Sequence, residues 1–266
     1  MLFVFLFCIG VYASPFAYDL HLHTVPGSSS RTLICMHGYG GNYRIADKIK
    51  IHKVTEATLV SFNFPDHDLE TRPYEPEKAS FGTLEELLPA FYVLKKCVID
   101  EGLEAVDLYG YSAGGGVLVN LLAGLNSERY NVTLEEIGIA AQEKKKLLMA
   151  IQKGIILLDV PLKSVEEIIA GRGTSPELEI LAQHYQTHQL RPIDALDALK
   201  GLSLDVILYI QEPDDIVLNR DDALYIQRLK SANARGRTTI VKGSRGDHFS
   251  FHPLLWQAYA QKLREI

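Results

Sequence analysis

The sequence predicts an α/β domain, a mostly parallel central sheet covered on both faces by helices. Two observations carry this. Short β-rich runs alternate along the chain with amphipathic helical stretches, the order that a parallel sheet requires. One of these runs, at Val106, Leu108 and Tyr109, passes through the glycine-flanked Gly110-Tyr111-Ser112-Ala113-Gly114 directly into a helix whose apolar face is Val117, Leu118, Leu121 and Leu122. At 266 residues the chain suits one large domain with a core that needs no staples.

The elements follow in order. Residues 1–13 are almost wholly apolar, and Val11-Tyr12-Ala13 has the small-residue character of a cleavage site. The segment is therefore read as an atypical export signal, lacking the Lys or Arg that normally precedes the apolar core, with the domain proper at residues 14–266. Export to a periplasm or to the outside follows if it is a signal, and a cytoplasmic location if it is not. It is too short for a membrane span, and no stable span is expected. Residues 17–24 read as a strand ended by Pro26-Gly27-Ser28, and residues 32–36 as a buried strand ending at His37-Gly38-Tyr39-Gly40-Gly41. A helix is expected over 43–53, a strand over 58–62 stopped by Pro65, and a helix over 84–100. Beyond the serine junction, strands are expected at 155–160, 204–210 and 238–241, with helices at 221–230 and 253–264. Residues 126–152 and 163–200 break the alternation and are mainly helical; they are expected as cap insertions over the carboxyl edge of the sheet. Leu134, Ile137, Ala141, Leu148 and Ile151 could form one apolar face of such a covering helix.

Composition narrows the classes. With 33 acidic against 27 basic residues the net charge is −6, and Lys144-Lys145-Lys146, the one basic run, suits a solvated helix face; no nucleic-acid partner is expected. Cys8 in the N-terminal apolar run, Cys35 in a buried strand and Cys97 in a helix give no disulfide framework and are expected as buried free thiols. No Cys/His spacing suits a metal, and the His184/His188 pair lacks both the intervening glutamate and a third ligand, so no metal site is assigned. His21 and His23 alternate on a strand, which a surface edge explains.

The chemistry starts at Ser112. Gly-x-Ser-x-Gly between strand and helix is the pattern of a nucleophile elbow: the tight turn strains the serine backbone, exposes its hydroxyl, and sets a helix amino end behind it. The glycine spacing fits neither a P-loop, since Val117-Leu118 stand where Lys and Ser/Thr would be needed, nor a dinucleotide loop. A serine hydroxyl needs a base, and the base needs an orienting acid. His248, in Gly246-Asp247-His248-Phe249 after the last strand, is the best-placed base. After the penultimate strand Asp214 and Asp215 compete for the acid, with Asp214 favoured by the Ile216-Val217 that follows it, Glu212 third, and Asp159 an outside option. The pair also suits a turn or helix cap. The amides of Ala113 and Tyr39 are the expected oxyanion donors, with His37 bracing the glycine loop rather than acting as a second base. His67 is expected on the functional edge of the sheet, where it could line the substrate entrance.

On His37-Gly38-Tyr39-Gly40-Gly41, Gly110-Tyr111-Ser112-Ala113-Gly114-Gly115, Gln211-x-x-Asp214-x-x-Val217 and Gly246-Asp247-His248, the chain resembles the α/β-hydrolase superfamily over residues 32–252. It departs from that pattern at Gln211, where a glycine is more usual. The resemblance implies a sheet of about eight strands. It also implies a triad of Ser112, Asp214 and His248 in an esterase-, lipase- or peptidase-like site that uses no cofactor. The expected substrate is a small-molecule or lipid-like carboxylic ester, or an amide. The alternatives are an acyltransferase or carbon–carbon bond hydrolase with the same triad, or a non-catalytic binding protein that keeps the fold. Substrate-contacting residues are not assigned.

Overall fold

Apolar runs without polar alternation become strands buried on both faces, and such strands pair in parallel. The computed structural model describes residues 20–65, 67, 81–128, 140–212, 222–244, 248 and 251–265. Its strands are β1 (His23–Val25), β2 (Thr32–Met36), β3 (Thr58–Ser61), β4 (Asp107–Tyr111), β5 (Ile155–Asp159), β6 (Asp205–Gln211) and β7 (Arg237–Gly243). They form one seven-stranded sheet in the order β1-β3-β2-β4-β5-β6-β7. Among the described strands only β1 pairs antiparallel, with β3; the other neighbours are parallel. The early strand expected over 17–24 is described from residue 20 and pairs at His23–Val25; residues 1–19, with the expected signal segment and Cys8, lie outside the described residues.

Helices cover both faces: α1 (Ile45–Ile51), α2 (Leu87–Lys95), α3 (Ala113–Asn126), α4 (Ala141–Gln152), α5 (Val165–Arg172), α6 (Pro176–Thr187), α7 (Pro192–Ala195), α8 (Asp222–Ala232) and α9 (Pro253–Leu263). The helix expected over 84–100 is built of a 3₁₀ turn at Leu84–Glu86, then α2, then a π turn at Lys96–Asp100. Alternation along the strands sorts the core into two layers. Ile34, Met36, Leu108, Ile156, Leu158, Val206 and Leu208 join the layer that holds α2 and α3. Leu33, Cys35, Tyr109, Ile155, Leu157, Ile207 and Tyr209 join the layer that holds α1 and α9. Cys35 and Cys97 are buried free thiols. Among the described residues no helix is long and apolar enough to cross a membrane.

Chain order fixes where a site can form. β2 and β4 are neighbours, yet the chain leaves β2 for β3 on one side and returns to β4 on the other. The crevice beyond the carboxyl ends of β2 and β4 is therefore the switch point at which open α/β sheets bind ligands.

The two expected cap stretches part company. Val106, just before β4, donates its N–H to the Ala150 carbonyl at 3.2 Å, and Gly154 leads from α4 straight into β5. α4 therefore flanks the amino ends of the strands, and residues 141–152 do not overhang the carboxyl edge. An amphipathic pattern identifies the buried face of a helix but not the edge it lies beside. The face itself is set by Leu147, Ala150 and Ile151, while Ala141 is exposed. Leu134 and Ile137 lie outside the described residues. Helices α5 and α6, by contrast, leave the carboxyl end of β5. Ser164 caps α5 by accepting from Glu167 N–H at 3.3 Å, and Ser175 caps α6 by accepting from Leu178 N–H at 3.2 Å.

Glu86 ties α6 to the 3₁₀ turn that precedes α2. It is fully buried; its Oε2 accepts from Gly82 N–H at 2.6 Å and from the Tyr185 hydroxyl of α6 at 3.4 Å. Burial pushes its pKa up to about 8. The folded chain thus keeps a proton that the unfolded chain, at its ordinary 4.5, releases, so stability falls as pH climbs from 4.5 to 8. Glu86→Gln, which mimics the neutral acid, is expected to gain stability over the parent on the order of a few kcal/mol at pH 8 and far less at pH 5. Thermal midpoints of both proteins at the two pH values check this; a difference independent of pH contradicts it.

Candidate active site

Ser112 stands between β4 and α3 at φ 51°, ψ −118°, a backbone conformation that L-residues rarely adopt. Its flanking glycines make the turn possible. A Cβ at Gly110 would come within 2.7 Å of both Gly114 O and Gly115 Cα, and one at Gly114 would overlap the backbone carbonyls of Met36 and His37. The first turn of α3 thereby rests against the end of β2. Hydrogen bonds hold the rest of the serine backbone. Its N–H donates to Asp159 O at 2.9 Å, and its carbonyl accepts from Leu162 N–H and Gly115 N–H, each at 2.9 Å.

The structure brings His248 to this serine: its Nε2 lies 2.8 Å from Ser112 Oγ. The histidine is buried, with 1% of its surface exposed. Its carbonyl accepts the Tyr111 hydroxyl at 2.6 Å, so the residue next to the serine also anchors the histidine. With Nε2 facing a hydroxyl, the imidazole can take the serine proton. Asp214 and Asp215 lie outside the described residues, as do Gly246 and Asp247.

The glycine loop after β2 runs alongside. A Cβ at Gly38 would lie 3.0 Å from Ser112 Cβ, which puts the Gly38-Tyr39 backbone beside the serine. Gly41 N–H donates to Gly38 O at 2.9 Å, closing a turn in which Gly40 takes φ +70°. His37 braces this loop. Its Nδ1 is 2.8 Å from Gly38 O and its Nε2 accepts from Phe64 N–H at 3.2 Å. Burial and the neighbouring His67 lower the His37 pKa to about 3, so its ring is neutral at any ordinary pH. Ala113, the other expected oxyanion donor, opens α3 directly after Ser112. Its amide has the helix amino end behind it.

His67 is corrected. It does not line an entrance but is fully buried behind the glycine loop, with ring centroids 5.4 Å from His37, 5.8 Å from Tyr39 and 4.8 Å from Phe81. Burial pulls its pKa down to about 4. His184 and His188 sit on and after α6 with ring centroids 6.5 Å apart, and no group of three metal-binding side chains occurs among the described residues. The Asp159 side chain, the outside option for the acid, bonds elsewhere: to the Tyr109 hydroxyl at 2.8 Å and to His252 at 2.6 Å. Sequence reasoning also passed over the Tyr39 hydroxyl, which donates to Glu177 in the first turn of α6 and so joins the glycine loop to the helices above it. Local patterns carry no trace of such pairs, which are distant in the chain.

No family model matches the chain, and no curated protein is similar to it in sequence. Solved structures are similar in fold. A lipase-esterase related protein from Clostridium acetobutylicum is 15% identical with a TM-score of 0.52, covering 92% of this chain and 98% of that one. A carboxylesterase from Lactobacillus plantarum is 15% identical with a TM-score of 0.56, covering 92% and 91%. A carboxylesterase from Bacillus cereus is 15% identical with a TM-score of 0.53, covering 93% and 95%. The chain has the α/β-hydrolase fold.

Gly114→Ala forces the first turn of α3 off the end of β2 and is expected to cost about 1–3 kcal/mol in urea unfolding. A variant as stable as the parent contradicts this close approach of α3 to β2.

Proposed function

We propose that the protein is a serine hydrolase that cleaves carboxylic esters through an acyl-enzyme. The observation that carries this reading is the strained Ser112 turn with its Oγ 2.8 Å from His248 Nε2. A buried imidazole held against a serine in an otherwise costly backbone conformation has a ready use in acyl transfer and none in a passive binding module. The names of the solved structures of similar fold, carboxylesterase and lipase-esterase related protein, support an ester as the substrate. A small-molecule or lipid-like ester is proposed, with no cofactor.

In this mechanism His248 Nε2 takes the Ser112 proton as Oγ attacks the acyl carbon. The carbonyl electron pair moves to oxygen, and the amides of Tyr39 and Ala113 hold the resulting oxyanion. His248 then returns its proton to the departing alkoxide, which leaves as the alcohol, with the acyl group on Ser112. Water enters, gives a proton to His248 and attacks the acyl carbon. Collapse of the second oxyanion releases the acid, and the proton on His248 restores Ser112. Asp214 is proposed to orient His248 and to stabilise its charged form.

A panel of p-nitrophenyl esters of graded acyl length tests the reading. Turnover is expected, with Ser112→Ala and His248→Ala each lowering kcat/KM by about 10³-fold or more. A folded parent that turns over none of the panel, or a Ser112→Ala variant as active as the parent, contradicts it.

A further inference from the structure

Behind the serine lies a buried histidine–carboxylate pair that the proposed mechanism does not use. Asp159 ends β5, and its side chain is 4% exposed. Its Oδ2 accepts the Tyr109 hydroxyl at 2.8 Å, and its Oδ1 lies 2.6 Å from Nδ1 of His252, which is itself 2% exposed. Burial, and next the Asp159 charge, push the Tyr109 pKa well up, so this hydroxyl stays a donor. The His252 ring is clamped from its face by Tyr209, centroid to centroid 4.4 Å at an interplanar angle of 23°. The Tyr209 hydroxyl is tied in turn to Gln211 Oε1 at 2.6 Å.

The placement of the pair points to its role. The Asp159 carbonyl accepts the Ser112 N–H at 2.9 Å, so the residue whose carboxylate holds His252 also holds the nucleophile's backbone. His252 is the residue just before α9, four positions after His248. Four residues of chain reach at most about 14 Å, so an anchor at His252 restricts where His248 can stand. His248 has a second anchor at its own carbonyl, held by Tyr111. Replacing a buried ionisable pair by apolar side chains of the same volume often leaves stability unchanged, so packing alone does not account for this pair.

We propose that Asp159 and His252 are positioning residues that hold His248 in register with the Ser112 turn. This rests on the reading of Ser112 and His248 as nucleophile and base. The pair acts through the backbone at Ser112 on one side and through the amino end of α9 on the other, not on the reacting atoms.

The test measures the second-order rate at which a fluorophosphonate probe labels Ser112, by intact mass, beside kcat, KM and the thermal midpoint. His252→Phe keeps a ring against Tyr209 but removes the donor. It is expected to slow labelling and kcat by about 10²-fold, the scale of a small displacement of a catalytic group, with KM little changed. It also lowers the midpoint, because Asp159 loses a partner. The double Asp159→Leu/His252→Phe variant removes the buried charge and keeps an apolar filling, so it is expected to recover the midpoint and not the rate. A purely structural pair would recover both. His252→Asn, whose amide can donate from the place of Nδ1, is expected to label within about tenfold of the parent.

Wild-type labelling rates in folded His252→Phe overturn the proposal, as does a double variant that regains rate along with stability. Should neither of those variants fold, a folded His252→Asn protein slowed by about 10²-fold overturns it. A parent protein that the probe leaves unlabelled overturns the underlying reading of Ser112, whereas a labelled parent with unaffected variants overturns the positioning pair alone.

Discussion

The backbone of Ser112 is the constraint on which the carboxyl edge of this molecule depends. A non-glycine residue held at φ 51° costs about 1–3 kcal/mol, and it persists only where its surroundings over-determine it. Here they do so from three sides. Gly114 lets α3 settle on the end of β2, Asp159 O takes the serine N–H from β5, and Leu162 N–H takes its carbonyl from the segment leading to α5. Each of these contacts also fixes something else. The first sets the glycine loop against the serine, the second links the serine to the Asp159–His252 pair, and the third ties the helices beyond β5 to the turn.

Polar groups are buried at both edges of the sheet, with different consequences. At the amino edge Asp107 is satisfied by Arg31, by the Tyr259 hydroxyl at 2.7 Å and by Ile155 N–H at 2.7 Å, joining β4, β5 and α9 in a network far from the serine. At the carboxyl edge the buried groups include the histidines His37 and His67. Burial holds His37 and His67 neutral, and the two rings pack as bulky struts behind the glycine loop. The amino edge therefore locks the scaffold, and the carboxyl edge sets the shape of the crevice.

What the sequence made legible follows from how each feature is encoded. The strands at β2, β4, β5 and β6 were readable because burial on both faces demands continuous apolar runs, and the structure keeps them to within a residue or two. The elbow was readable because steric necessity writes it into adjacent residues, and the nearness of Ser112 to His248 because chain order along a parallel sheet returns both residues to one edge. The position of α4 was not readable, since nothing in an amphipathic pattern says which end of the sheet a helix flanks. Nor were Glu86 against Tyr185 or Asp159 against His252. These partners lie 99 and 93 residues apart, and nothing in either local stretch marks them as partners. His67 misled for a related reason: a histidine after a strand points to the functional edge, but its burial is decided by Phe81 and Tyr39, which reach it from other loops.

The central claim is that Ser112 carries the acyl group. Rapid-quench mass spectrometry of the protein mixed with p-nitrophenyl acetate tests it most directly. The account predicts a transient acetyl adduct on the peptide that contains Ser112, formed as p-nitrophenol is released, decaying with turnover, and absent from Ser112→Ala. Turnover without an adduct on that peptide, or an adduct that survives Ser112→Ala, would contradict it.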